Sequence, residues 1–103
     1  MSRVTFPPKL SGSTILLPFD FLSSLAVGET LSSASTTATV YSGSDSSPSS
    51  LISGSTSVSG SIATQKITGG VAGVIYEVLC TASTSAGETL QLSGYLAIVP
   101  DLV

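Results

Sequence analysis

The residues with the best claim to chemistry sit together in TGGVAGVIYEVLCTAS, residues 68–83. There Gly69, Gly70 and Gly73 lead through Tyr76 to Cys80, the only cysteine of the chain. A cysteine nucleophile acts as its thiolate, and its pKa must be depressed by a histidine, a cation or a helix N-terminus. The chain has no histidine, and the cation nearest in sequence is Lys66. The alternation of Val74, Tyr76, Val78, Cys80 and Ala82 spells a strand, so no helix dipole is at hand. On that parity the thiol occupies the place of a small buried hydrophobe. The glycines supply no anion cradle either. GGVAG lacks the Lys-Ser/Thr of a phosphate-binding loop and runs into a strand instead of a helix.

The other reactive types are no better organised. Asp20, Glu29, Asp45, Glu77, Glu88 and Asp101 are scattered, at no spacing that suits acid–base work or a calcium loop, and read as solvated turn and strand-face residues. Serine is abundant, yet no serine has a histidine or a GxSxG elbow to activate it. The expectation is no enzyme: no catalytic, cofactor-binding or metal-binding residue. The terminal DLV, 101–103, reads as an ordinary chain end.

Composition narrows the class further. The 103 residues suffice for one domain. Hydrophobic residues make up 42%, enough for a core, but charged residues only 9%, and serine and threonine together fill about a third of the positions. Ordinary soluble domains carry roughly a quarter charged residues, so this surface is covered by hydroxyls. The only cations are Arg3, Lys9 and Lys66 and the net charge is −3, which argues against nucleic acid as a partner. So sparse a charge gives weak protection against association, and the expectation is a surface largely in contact with other subunits. No apolar run approaches the roughly 18 residues that span a bilayer, so no membrane partner is expected. MSRVTFPPKL carries no apolar segment behind Arg3, so a secretory signal is not expected. A lone cysteine excludes an internal disulfide.

The elements that would carry these residues are strands. Residues 1–13 hold the paired prolines Pro7 and Pro8 after Phe6, and read as an extended N-terminal arm, with Phe6, Pro7 and Pro8 as residues positioned to contact a partner. In TILLPFDF, Ile15, Leu17, Phe19 and Phe21 share one face, with Pro18 marking an edge or a bulge. TLSSASTTATVY places Ala34, Thr36, Ala38 and Val40 on one parity and has poor helix propensity. Residues 42–50, SGSDSSPSS, read as a turn-rich loop. SLIS, STSVSG and SIATQKIT follow as short strands of ambiguous register. The closing pair is clearer: TSAGET joins the strand of Tyr76 to one carrying Leu90, Leu92, Leu96 and Ile98. Residues 14–103 thus predict an all-β, antiparallel β-sandwich of about seven strands.

In immunoglobulin-like sandwiches, a tyrosine near the start of a late strand bonds back to upstream backbone and fixes the cross-over. Gly73, three residues before Tyr76, permits a tight entry, so Gly73 and Tyr76 are assigned to such a structural corner. With that corner, the FDF before LAVGETLSSA, the closing CTASTSAGETLQLSGYLAIV and the poverty in charge, the chain resembles the small immunoglobulin-like structural proteins of tailed bacteriophages, of the fibre–tail adaptor type. The resemblance implies a non-enzymatic virion protein, made in the host bacterial cytoplasm. It would join tail or neck to fibre components by protein–protein contacts, with other virion proteins and copies of itself as partners. Two alternatives stay open at this stage: a capsid decoration protein, and a host-surface carbohydrate-binding module, which would need an exposed aromatic platform.

Overall fold

Hydroxyl and β-branched residues alternating with apolar ones fit a pleated, half-buried surface. The computed structural model describes the backbone of residues 2–100 and the side chains of residues 6–100; the terminal DLV lies outside the described residues. The strands are β1 (Ser2–Thr5), β2 (Lys9–Leu10), β3 (Thr14–Asp20), β4 (Leu31–Ser42), β5 (Ile52–Ser59), β6 (Ile62–Thr68), β7 (Ile75–Thr84) and β8 (Thr89–Val99). Among the described residues the only helical pieces are the 3-10 turns Leu22–Ser24 and Pro48–Leu51.

One sheet has the order β3-β6-β5 and is antiparallel. The other runs β4-β7-β8 antiparallel, and β1 and β2 both lie parallel to β8. β1 and β2 are two pieces of one path along β8, so the sandwich has seven strand positions. Middle, penultimate and last strands in these places give the B-E-D over C-F-G arrangement of the immunoglobulin fold. The first 13 residues therefore supply a sheet edge: residues 2–5 and 9–10 pair with β8.

The two sheets meet over one core. Leu17 and Phe19 of β3, with Phe21 just beyond it, Ala63 and Ile67 of β6, Tyr76, Val78, Cys80 and Ala82 of β7, and Leu96 and Ile98 of β8 are all buried in it. Pro18 sits opposite Thr64 on the edge strand β3, where a missing N–H is tolerated. SLIS and STSVSG, expected as separate strands, contribute to one: β5 takes Ile52 and Ser53 from the first and residues 55–59 from the second, Ser50 and Leu51 ending the 3-10 turn, and its ladder to β6 shifts between Ser53 and Ser57. Gln65 explains how the shift is held. Its buried amide donates to the carbonyls of Ser53 at 3.1 Å, Gly54 at 3.3 Å and Lys66 at 2.9 Å, and its Oε1 accepts from Thr56 Oγ1 at 2.6 Å. With the Thr56 proton committed to Gln65, the 2.7 Å contact with Thr36 Oγ1 must be donated by Thr36, which ties β4 to the opposite sheet.

Candidate functional site

Two features bring sequence-assigned residues together. The first is the corner. Tyr76 is fully buried near the start of β7; its hydroxyl accepts from Val71 N–H at 3.0 Å and donates to Asp45 Oδ2 at 2.6 Å. Asp45 Oδ1 accepts from Ser47 N–H at 2.9 Å, closing an Asx turn in the serine-rich loop. These bonds hold the Asp45 carboxyl below the usual carboxylate range, the Tyr76 bond being the larger cause. Burial, and then the Asp45 bond, push the Tyr76 phenol up. Gly73 has φ +90° and its N–H donates to Ile98 O at 2.8 Å. A Cβ at Gly73 would meet open space, whereas at Gly70, φ +102°, it would stand 2.8 Å from Ile98 Cγ1.

The arm is tied to this corner from the other side. Lys9 is buried, and its ammonium donates to Gly69 O at 2.7 Å and Leu10 O at 2.8 Å. An ammonium removed from water needs such partners, so the arm is locked to the glycine turn rather than hanging free. Cys80 lies in the core, fully buried. Desolvation pushes its thiol up, the opposite of what a nucleophile requires.

The second feature is a groove of about 350 Å³ lined by Phe6, Pro8, Tyr41, Ile75, Tyr95 and Ala97. None of these residues is charged. Phe6 donates its backbone N–H to Tyr95 O at 3.0 Å and sets its ring edge-on to Phe19, centroids 5.5 Å apart. Tyr41 and Tyr95 stack at 4.4 Å with planes tilted 45°, and Tyr41 remains 60% exposed. Phe6 and Pro8 of the arm are thus in the groove, while Pro7 is exposed beside it. Gly73 and Tyr76 belong to the corner and do not line the groove.

Residues 9–97 match the family model described as podophage GP4 fiber-tail adaptor protein gp77. The chain belongs to that family. The matched span contains the corner, Lys9, Tyr41 and Tyr95, whereas Phe6, Pro7 and Pro8 precede it. Membership gives the chain a structural role at the junction of phage tail and fibre, and so a place in the virion. No curated protein is significantly similar to it.

Two residues at the corner and one repeated turn escape the reading of the sequence alone, as does the groove. In the sequence Asp45 reads like the other solvating acids, and only its position 31 residues before Tyr76 in a loop without periodicity separates it from them. Lys9 was counted as one of three scattered cations; its flanks, Pro8 and Leu10, are unusual company for a solvated lysine. The sequence GETL occurs twice, at 28–31 and 87–90, and the two turns lie side by side, with Ser85 N–H donating to Thr30 O at 2.7 Å and Ser85 Oγ accepting from Thr30 N–H at 3.1 Å.

Proposed function

We propose that this protein links tail or neck to fibre components by binding alone, and that the groove formed by the arm with Tyr41 and Tyr95 is where one of those partners docks. The observation that carries the reading is the uncharged tyrosine pair, Tyr41 exposed and Tyr95 half-buried, in a groove that Phe6 and Pro8 of the arm help to line. Large amphipathic rings deliver contact area at little entropic cost and dominate protein interfaces. Apolar and hydroxyl surface costs little to desolvate, so a face with few charges can be buried by another protein. No residue arrangement found above activates a nucleophile, which supports a role without catalysis. Synthesis in the host cytoplasm follows from the same reading.

The test is placement and binding together. Particles labelled at this protein should show the label at the tail or neck in negative-stain images, and the purified chain should bind tail or fibre proteins. Tyr41→Ala and Tyr95→Ala should weaken that binding about tenfold or more, as loss of an aromatic anchor does, with the fold retained by circular dichroism. Label spread over the capsid lattice would favour a decoration protein and overturn the reading. Binding to a glycan array with unchanged protein binding in the tyrosine variants would assign the groove to carbohydrate.

A further inference from the structure

Among the described residues, every edge strand but β4 carries a guard against pairing with a foreign strand. β3 holds Pro18 and ends at Asp20; β5 contains Gly54 and a ladder broken between Ser53 and Ser57. On the far side, β1 is only four residues long, and β2 is two residues long with Lys9 in it. Proline, charge, bulges and shortness are the means by which natural edges are blunted. β4 has none of them over its centre. Its sequence LSSASTTATVYS is twelve residues without Lys, Arg, Asp, Glu, Pro or Gly, and its register with β7 is unbroken over 33–40. It ends its sheet. Among the described residues, no backbone group of 33–40 bonds to anything but the β7 ladder. Ser33, Ser35, Thr37 and Thr39 are exposed on the outward face.

We propose that β4 is where two copies of this chain associate, strand against strand and antiparallel, about a twofold axis at Thr37. A row of N–H and C=O groups not used within the sheet is a template for another extended backbone. The choice of a second copy comes from the side chains. An isologous contact opposes each residue to its twofold mate, and in this register Ser35 faces Thr39, Thr36 faces Ala38, Ala34 faces Val40 and Thr37 faces its own copy. Outward positions thus meet hydroxyl to hydroxyl, and inward positions meet small to apolar. A charge at the axis would meet its own copy, and β4 has no charged residue there or elsewhere along its length. Each molecule carries net charge −3, so two copies approach at least electrostatic cost along a neutral edge. The pairing is independent of the tail–fibre reading, and its failure would leave that reading in place.

Sedimentation equilibrium of the full chain over a range of concentrations tests it, with circular dichroism confirming the sheet. The wild type should follow a monomer–dimer equilibrium. Thr37→Lys and Thr37→Glu each set like charges face to face at the axis and should weaken dimerisation about tenfold or more, while an equimolar mixture of the two should associate at least as tightly as the wild type. A wild type that stays monomeric up to its solubility limit overturns the proposal, as does a folded Thr37→Lys variant that dimerises like the wild type. Should either Thr37 variant lose its sheet signal, the register offers a second test. Ser35→Glu combined with Thr39→Lys should keep the dimer and Ser35→Lys combined with Thr39→Lys should lose it; equal behaviour of the two pairs overturns the assignment.

Discussion

The Tyr76 hydroxyl donates to Asp45 Oδ2 at 2.6 Å, joining the start of β7 to a loop 31 residues earlier in the chain. The same oxygen accepts from Val71 N–H. One buried phenol therefore satisfies a carboxylate and a backbone donor at once, and fixes both the glycine turn and the serine-rich loop against the core.

Tyr76→Phe should lower the unfolding free energy by roughly 1 to 3 kcal/mol, because two bonds go and a donor and a carboxylate are left to find water. Asp45→Asn keeps a hydrogen-bond acceptor and should cost less, about 1 kcal/mol. Urea denaturation of both variants measures this. A neutral Tyr76→Phe would mean that the corner contributes nothing to stability.

The pair also sets a pH window. The Asp45 carboxyl is lowered by the Tyr76 and Ser47 bonds, so its contribution is complete above the unfolded value of about 4 and fades as pH falls through the folded one. The Tyr76 phenol is raised by burial and by Asp45, so its contribution is complete below about pH 10 and fades as pH rises through the folded value. Denaturation midpoints plotted against pH should therefore fall off on both sides. Tyr76→Phe should flatten both limbs; an unchanged alkaline limb in that variant would assign it to another group.

Cys80 should be inert in the native protein, since burial raises its thiol and closes access to it. Iodoacetamide labelling is expected only on unfolding. Cys80→Ser should cost roughly 1 to 3 kcal/mol through burial of a hydroxyl and leave partner binding unchanged. Rapid alkylation of folded protein would contradict the packing described.

Two glycines with positive φ make a matched comparison. Gly60, at φ +61°, has open space where a Cβ would go, while a Cβ at Gly70 would meet Ile98 at 2.8 Å and Leu51 at 3.1 Å. Gly60→Ala should cost about 1 to 2 kcal/mol from backbone strain alone. Gly70→Ala adds overpacking and should cost about 2 to 4 kcal/mol. Melting curves that rank the two variants equally would remove the packing component.

How much of this is legible in the sequence depends on range. The strand of Tyr76, Cys80 and Ala82 and its partner carrying Leu96 and Ile98 announce themselves by strict alternation and a short glycine turn, and they pair as β7 and β8. Gln65 falls on the inward parity between Ala63 and Ile67, so a satisfied amide in the core was readable there, although its partners were not. The groove was hidden because Tyr41 lies at the register shift between Val40 and Ser42, where alternation ceases to report which face a residue takes. The arm was legible as extended from Pro7 and Pro8. Its parallel seat on β8 was not, because Lys9 pairs with Ile98, at the opposite end of the chain.

That parallel seat has a mechanical consequence. β1 and β2 point the same way as β8, so the N-terminal end of β1 and the C-terminal end of β8 lie at opposite ends of that edge of the sandwich. Force applied between those two strand ends loads the whole β1–β8 ladder in shear, with all its bonds resisting together, instead of peeling them one after another as it would in a hairpin.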